Sequence, residues 1–500
     1  MESVSNNQSP EKTHVWDYLA NMLSIPFVER GSQEYELLNG SYFSAFENEV
    51  KPRCIATPKD VDEVRALVTA LRPHILAKQC RIAIRGTGHT PFSGSANIEN
   101  GITIDMRKLK GIAISEDQSF VEIGAGETWS AVYSKLEPLQ LTVSGARVGR
   151  IGVAGFLLGG GLSLFSTNNG FACDSVVEFE VVLASGAVAC ASDRENPELF
   201  WALKGGLNNY GIVTSFKMKT YKWHGSIWGG LVYYTPECFT QLLKKTVDFA
   251  KDETDRDTHV MFSAGYGFSQ EVLSCVLYHT RGHENAPSLQ PFLSVQPQLA
   301  STMRKSTQAE LSEELSKFST DGLRQYWGSI TIHADVALMG EFYQKWQATL
   351  ENIKDAEGFV FSFGFHLLSK SLLENSQKAG GNPAAIPPSD GPLFVVLINP
   401  SWKLAEDDER VFKTVKTFTS ELKRLAQERD LLHRYIFTNY ALGEDDVIGG
   451  YGNESVTKLI ATAQRYDPDG VFQLGVPGGF KLPSDVIALV EADSKAEATS

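Results

Sequence analysis

The sequence lacks the patterns that are typical of a disulfide scaffold, a metal site or a membrane helix. Its 500 residues include only six cysteines, and none of these form a CxxC pair or accompany a histidine-rich cluster. This density is far below that of a disulfide scaffold, so free thiols and no metal site are predicted. No run approaches the ~18–20 apolar residues that a membrane helix needs.

Positive charge is also scarce. Lys and Arg number 46 against 60 Asp and Glu, which gives a formal net charge of −14. Such a chain repels phosphate backbones, which argues against nucleic acid as a partner. The N-terminal segment is polar and acidic and does not show the basic-then-apolar pattern of a signal peptide. We therefore expect a cytoplasmic protein that contacts neither membrane nor nucleic acid.

What is present indicates more than one domain, because 500 residues exceed the usual ~100–200 of a single domain. Between about 50 and 221, β-like runs alternate with glycine-rich turns. Between about 222 and 435, aromatic residues increase and helical periodicity appears, with apolar positions 342–353 and 411–425 each lining one helical face. Residues 1–49 have weak periodicity and are predicted to be a lead-in.

The first chemically suggestive segment follows a β-like run over 81–85. Small residues placed directly after a strand let backbone N–H groups approach an anion closely, as phosphate-binding turns require. Alone, this is a weak signal, because it lacks the helix-opening spacing of a dinucleotide fingerprint. The segment consists of Arg85, Gly86, Thr87, Gly88, His89 and Thr90.

The second segment is rich in glycine, with eight glycines between 145 and 170. Three adjacent glycines cost so much conformational entropy that a backbone wrapped around a flat or phosphorylated ligand is favoured over simple tight packing. The glycines predicted to approach this ligand are Gly152, Gly155, Gly159, Gly160 and Gly161.

The third segment, Phe200 to Val213, reads FWALKGGLNNYGIV. In their order and spacing, the three segments resemble the vanillyl-alcohol-oxidase-like flavoproteins with a PCMH-type FAD-binding domain, and within them the berberine-bridge-enzyme-like branch. The closing motif at 466–472 resembles the same family. The resemblance is strong over residues 50–220 and 430–480, and the middle of the chain follows it only in pattern.

The resemblance implies an α+β fold of two domains. Residues 50–221 would form the FAD-binding domain. Residues 222–435 would form a substrate domain, an antiparallel sheet backed by helices and placed over the flavin. Residues 436–500 would return to the FAD domain.

The same resemblance implies where FAD lies. Its pyrophosphate would contact residues 85–90, and the glycine run 152–161 would pass the ring and pyrophosphate. Gly211, Ile212 and Val213 would meet the adenosine part through their backbone. His89 would bond covalently to the 8-methyl carbon of the flavin, and a neutral imidazole is a sensible nucleophile there. Many members of the branch attach the flavin a second time, through a cysteine in the segment before the glycine run. Here that segment, residues 143–149, has no cysteine, so the resemblance implies attachment through His89 alone.

The catalytic residues are predicted less directly. Asn439 occupies the position that the family places near the flavin ring, and Phe437 stands where many oxidases carry a tyrosine. If this segment is a strand, alternation puts Tyr435 on the same face as Asn439 and Tyr440 on the other. We therefore expect Tyr435 and Asn439 to act in catalysis, with His333 and His366 as alternatives to Tyr435 for the base.

The function implied is an FAD-dependent oxidoreductase that takes a hydride from a small natural-product intermediate, with O₂ as the expected oxidant. Two alternatives stay open within the family: a carbohydrate oxidase of the same fold, and a flavoprotein that cyclises or isomerises its substrate without net oxidation. A non-enzymatic binding protein would require the flavin motifs to be relics. The sequence leaves the oligomeric state open.

Overall fold

The computed structural model describes Leu19 and residues 22–483, apart from positions 224 and 254. The remainder of the predicted lead-in and residues 484–500 lie outside the described residues. Both helices and antiparallel strands occur, so the predicted α+β class is confirmed. In the described part of the chain, no helix is both long enough and apolar enough to cross a membrane.

A small sheet opens the glycine-rich half. Three of its four strands run parallel, and the helix Val61–Leu76 connects the first of these three to the next in sequence. Asp60 caps this helix by accepting a hydrogen bond from the Glu63 N–H. The sheet order is Phe27–Glu29, Cys54–Ala56, Ile102–Asp105 and Ile82–Arg85, and the helices Gln33–Asn39 and Ala45–Glu49 lie between its first two strands in sequence.

A second, antiparallel sheet completes this half. Its five strands are ordered Ile112–Ile114, Phe120–Gly124, Ile212–Lys219, Val176–Val182 and Val188–Ser192. The helices of this region are Trp129–Leu136, Val153–Leu158, Ser166–Asn169 and Pro197–Leu203. Their apolar faces and the sheet share one core, in which Trp129, Phe179 and Phe216 are fully buried.

The middle of the chain forms a ten-stranded antiparallel sheet, as expected. Eight strands follow the order Gln298–Ser301, Ile227–Tyr234, Gln270–His279, Thr258–Gly267, Val360–Leu368, Leu393–Trp402, Gly328–His333 and Leu432–His433. Arg304–Ser306 and Arg324–Gln325 pair alongside. A two-stranded pair, Leu141–Thr142 with Tyr221–Lys222, lies beside the predicted boundary between the halves.

Three long helices cover one face of this sheet: Phe239–Asp252, Val336–Leu350 and Asp408–Glu428. The predicted helical faces at 342–353 and 411–425 are buried in the core beneath the helices, although the first helix ends at Leu350 and Ile353 follows it into the same core. Shorter helices are Gln290–Leu293, Gln308–Ser316 and Lys370–Lys378.

Strand alternation identifies the side chains that lie on the opposite face of the sheet, away from these helices. Phe262 and Phe365 point into the helix-covered core, so their neighbours Met261 and His366, which are register partners, point the opposite way. The closing segment contains the 3₁₀ turn Thr438–Tyr440 and the helices Asn453–Tyr466 and Val471–Gly475. The last of these packs against Val61–Leu76 in the glycine-rich half.

Candidate FAD and substrate site

A cavity of about 280 Å³ lies between the glycine-rich half and the free face of the large sheet. Glycine-rich segments, which expose their backbone, form one side of the cavity. Side chains from distant parts of the chain form the opposite side. The lining residues fall within the stretches 84–96, 146–162, 437–441 and 479–480, together with Trp327, Leu207 and Asn208.

The predicted phosphate turn borders this cavity through Gly86, Thr87, Gly88, His89 and Thr90. In the described part of the chain, the backbone N–H groups of residues 87–90 donate to no protein atom. Gly88 has a φ of +77°, and an added Cβ would lie 2.6 Å from the Tyr42 ring, so only glycine fits. The turn therefore presents unpaired donors to whatever the cavity holds.

Arg85 does not take part in this. Its side chain is fully buried and points away from the cavity, where Nη1 donates to the Leu38 carbonyl at 2.7 Å and Nη2 to the Ser41 carbonyl at 2.8 Å. The guanidinium also stacks 3.5 Å from the centre of the Tyr42 ring. The Arg85 side chain therefore does not border the cavity, contrary to the expectation for a cofactor contact, and it joins the turn to residues 38–42 of the lead-in.

His89 is held at the cavity by two contacts. Its ring stacks on Phe43, with 4.0 Å between ring centroids, and its Nε2 lies 3.1 Å from Ser319 Oγ. Burial lowers the pKa of His89 to about 4, and the nearby Arg150 charge acts in the same direction. The imidazole is therefore neutral at physiological pH, as a nucleophilic histidine requires.

The five predicted glycines separate into two groups. Gly152, Gly155 and Gly159 border the cavity, and a Cβ added to Gly155 would meet nothing within 4 Å. Gly160 and Gly161 do not border it. Their φ values of +101° and +74° form the turn that follows, so their glycine requirement comes from backbone conformation.

The structure does not bring Gly211, Ile212 and Val213 to this cavity. An added Cβ on Gly211 would lie 2.5 Å from the Val181 side chain, because the strand packs closely there. Ile212 and Val213 are buried in two hydrophobic cores. From this segment, Leu207 and Asn208 reach the cavity instead. The sequence prediction omits Leu207 and Asn208 because it places the adenosine contact at the end of this segment, at Gly211, Ile212 and Val213.

Asn439 borders the cavity, but its amide is already occupied. Oδ1 accepts a hydrogen bond from the Gly161 N–H at 3.0 Å, and Nδ2 donates to the Phe156 carbonyl at 3.2 Å and the Gly155 carbonyl at 3.4 Å. These bonds join the closing segment to the glycine run. The structure thus gives Asn439 a bracing role where a catalytic one was expected.

The choice of Tyr435 over Tyr440 is wrong on geometry. The strand ends at His433, and residues 438–440 form a 3₁₀ turn, so the assumed alternation does not exist. Tyr435 lies in the core, where its ring contacts Phe171 and Tyr451, and it does not border the cavity. Tyr440 does border it.

Tyr440 belongs to a polar cluster that the sequence did not reveal. Arg147 Nη2 donates to Tyr440 Oη at 2.7 Å, and the same Oη lies 3.4 Å from His366 Nδ1. The Trp327 ring stands edge-on to Tyr440, with 5.5 Å between centroids. His366, an alternative in the sequence, is thus near the site, whereas His333 contacts His433 and does not border the cavity.

Burial sets the protonation of this cluster. It raises the pKa of Tyr440, which Arg147 partly opposes. It also holds the pKa of His366 well below the usual value, with the Arg147 charge adding to the effect. At neutral pH the cluster is therefore a phenol, a neutral imidazole and one guanidinium charge. No signal in the linear sequence joins residues 147, 327, 366 and 440.

The residues present fit FAD. The unpaired N–H groups of 87–90 suit phosphate oxygens, and the open space beside Gly155 is where a side chain would otherwise compete with a flat ligand. Among the described residues, no Asp or Glu lines the cavity to repel an anionic cofactor. None of the described residues form a cluster of His, Cys, Asp and Glu that could bind a metal.

Comparison with known proteins agrees with this geometry. Residues 52–191 match the FAD binding domain family. The chain is 32% identical over 494 residues to the FAD-dependent monooxygenase FUP4 of Fusarium proliferatum, covering 96% of this chain and 93% of the relative. These matches define an FAD-linked oxidoreductase.

Three solved structures share the fold at 18–19% identity. They are 6-hydroxy-D-nicotine oxidase from Arthrobacter nicotinovorans (TM-score 0.76, 92% of this chain and 98% of the other), BBE-like 1 from Physcomitrella patens (0.73, 94% and 100%) and glucooligosaccharide oxidase from Acremonium strictum (0.75, 94% and 99%). The last is described with a 6-S-cysteinyl, 8α-N1-histidyl FAD.

The chain belongs to the family of FAD-dependent oxidoreductases that includes FUP4, and it shares its fold with 6-hydroxy-D-nicotine oxidase and BBE-like 1. The predicted family, the enzyme class and FAD as cofactor are confirmed.

Proposed function

We propose that this enzyme oxidises a small natural-product intermediate by hydride transfer to FAD, with O₂ as the final oxidant, in the cytoplasm. The observation that carries the proposal is the cavity itself, which lies between a turn with unpaired backbone donors and the Arg147–Tyr440 cluster. When bound, FAD supplies the hydride acceptor, and the chain supplies orientation and exclusion of water.

Residues 87–90 and Gly155 are the groups that we propose to hold FAD. Four consecutive N–H donors can bind phosphate oxygens without a charged side chain, and glycine leaves room for the ligand. Gly86, Gly152 and Gly159 complete this surface. Gly211, Ile212 and Val213 are no longer included.

We propose a covalent bond between His89 and the flavin. Its neutral imidazole supports this, and Ser319 contacts Nε2, which leaves Nδ1 as the candidate bonding atom. The solved glucooligosaccharide oxidase carries its flavin on a histidine and a cysteine. Here the stretch 143–149, which contributes to the cavity, has no cysteine, so a single attachment is proposed.

We propose Tyr440 for the catalytic role that the sequence analysis gave to Tyr435, because Tyr440 borders the cavity. As a phenol at neutral pH it can donate a hydrogen bond, and Arg147 at 2.7 Å stabilises any negative charge that develops on its oxygen. A carbohydrate oxidase is less favoured. The described lining is largely apolar, with Phe92, Trp327 and Phe437, and it contains no carboxylate to bind sugar hydroxyls.

The first experiment is an absorbance spectrum of the purified protein, followed by acid precipitation. Yellow protein with flavin left on the precipitated chain is expected, and a peptide map should place that flavin on His89. His89→Ala should transfer all bound flavin to the supernatant. Thr320→Ala, an exposed change next to Ser319, is the matched control and should leave the linkage intact. A colourless protein would contradict the proposal.

The second experiment concerns the reaction class. Anaerobic reduction of the bound flavin is compared for phenolic natural products and for xylobiose, and peroxide is measured when air is admitted. Faster reduction by phenolics with stoichiometric peroxide is expected. Product carrying ¹⁸O from labelled O₂ would instead indicate the oxygen insertion that the name of FUP4 implies. Product formed without oxygen consumption would indicate a cyclase or isomerase.

A further inference from the structure

Among the described residues, the charge on Arg147 has no counter-charge. Its Nη1 and Nη2 contact Met261 Sδ at 3.3 Å and Tyr440 Oη at 2.7 Å, both uncharged, and no Asp or Glu of the described residues pairs with it. Arg150, three residues further along, pairs with Asp321. A cation that is partly withdrawn from water and left unpaired is costly, so such groups are ordinarily matched by an anion.

The position of Arg147 shows where that anion would lie. Its side chain borders both the large cavity and a narrow pocket of about 20 Å³ behind it, which His259 and His366 also line. A space of this size holds about one water or one oxygen atom. An oxygen of a molecule in the large cavity can therefore reach the guanidinium at this junction.

A second observation points to the same ligand. His259 Nε2 is buried and has no hydrogen-bond partner among the described residues. Because an unsatisfied buried polar atom is costly, a ligand oxygen in the narrow pocket would be stabilised by it. Trp327 Nε1, at the wall of the large cavity, is also buried and unpartnered.

We infer that the substrate is an aromatic or enolic molecule with an ionised oxygen, a carboxylate or a phenolate-type oxygen, and that Arg147 binds this oxygen. The inference rests on the proposed function, because it concerns the substrate of that site. The rings of Trp327, Phe437 and Tyr440 supply apolar walls for the rest of such a molecule. A neutral sugar would leave the guanidinium unpaired.

The competing role for Arg147 is to face the cofactor, since a cation beside the flavin favours its reduced, more negative form. The two roles separate experimentally. If Arg147 binds substrate, its removal weakens anion binding and leaves the flavin reduction potential in place. If it serves the flavin, its removal lowers the potential and leaves anion binding in place.

The test uses benzoate, with benzamide as a neutral molecule of the same shape, titrated by calorimetry into the purified holoprotein. Wild type should bind benzoate more tightly than benzamide. Arg147→Gln should weaken benzoate binding roughly 10- to 100-fold, as expected for a lost hydrogen bond to a charged group, and leave benzamide unchanged. Arg147→Lys should keep part of the preference, since it keeps the charge but loses the two-pronged geometry.

Arg150→Gln is the matched control, because it removes the same charge from a neighbouring arginine that is already paired. It should leave benzoate affinity unchanged. Equal affinity for benzoate and benzamide in wild type, or an Arg147→Gln variant that loses flavin potential but keeps benzoate, would overturn the inference. The absorbance spectrum of the same samples reports flavin content. Yellow protein without a benzoate preference therefore contradicts only this inference, whereas colourless protein contradicts the proposed function and, with it, the inference that rests on it.

Discussion

The two sides of the cavity are made from different parts of the polypeptide. The glycine wall, residues 86–90 with Gly152, Gly155 and Gly159, offers backbone donors and empty space. The side-chain wall, made of Arg147, Trp327 and Tyr440 and backed by His366, offers a charge, a phenol and aromatic rings. The glycine wall contacts a ligand through backbone atoms, which most substitutions do not remove, whereas single substitutions can change the side-chain wall.

The walls also differ in how they are assembled. The glycine wall comes from two short segments, each continuous in sequence. The side-chain wall joins residues 147, 327, 366 and 440, which only the folded sheet brings together. The proposed cofactor contacts therefore depend on short local segments, whereas the proposed substrate contacts depend on the packing of remote segments. The following predictions test this difference, from the largest expected effect to the smallest.

The largest effect is expected on the glycine wall. Gly155→Leu should leave most of the purified protein without flavin, because a side chain there enters the open space beside the residue. Flavin content is measured from the absorbance ratio, and circular dichroism checks the fold. Gly155→Ala is the graded control and should retain more flavin than the leucine variant. Full flavin content in Gly155→Leu would show that the cofactor does not pass this wall.

The next effect concerns the brace between the closing segment and the glycine run. Asn439→Ala removes three hydrogen bonds and leaves the Gly161 N–H without its acceptor. The free energy of unfolding should fall by about 1–3 kcal/mol, measured by urea denaturation of the holoprotein. Asn352→Ala, an exposed asparagine with a single weak bond, should change it by less than about 0.5 kcal/mol. Equal losses would remove the special role of Asn439.

These residues also show how far the sequence could predict the site. Gly86 to Thr90 and Gly155 were recognised because a backbone site needs small residues in consecutive positions, which is a local pattern. Arg85 and Gly160 belong to the same motifs but serve packing and turn geometry, and a motif alone does not separate these uses. Periodicity predicts the long helices, and the core beneath them confirms this, whereas the antiparallel sheet is implied only by the family resemblance.

The side-chain wall could not be predicted in the same way. The segment 143–149 contains Arg147, but its sequence is informative only through its lack of cysteine. Nothing in that sequence indicates that Arg147 lacks a counter-charge. Tyr435 was preferred to Tyr440 because two-residue alternation was applied to a segment that turns after His433. An error of one residue in the assumed alternation exchanges the side chains that face the ligand with those that face away from it.

The third prediction therefore compares the two tyrosines. Tyr440→Phe removes a hydroxyl that contacts Arg147, and benzoate should bind about 2- to 10-fold more weakly as one hydrogen bond is lost. Tyr435→Phe alters a ring in the core away from the cavity and should leave benzoate affinity within about twofold. Calorimetry on both variants measures this. The reverse ranking would place the 435 side chain at the ligand and contradict the described turn.

The smallest effect is expected when benzoate binding is measured at different pH. This prediction tests whether Arg147 is the only charged group that binds the anion. Burial lowers the pKa of His259 to about 3 and that of His366 well below its usual value, and Arg147, which both face, acts in the same direction. The other groups around them are the Tyr278 ring beside His259 and the Tyr440 phenol beside His366. No carboxylate among the described residues is near enough to raise either pKa.

A lowered pKa means that these histidines stay neutral from pH 8 down to pH 5.5, where a histidine of ordinary pKa near 6.5 would be mostly protonated. Benzoate is ionised throughout this range, because carboxylic acids titrate near pH 4. Its dissociation constant should therefore change by less than about twofold between pH 8 and pH 5.5, measured by calorimetry. Arg147→Gln should bind weakly at both values. Tenfold tighter binding at pH 5.5 would mean that a protonated histidine shares the anion, and the side-chain wall would then carry more than one charge.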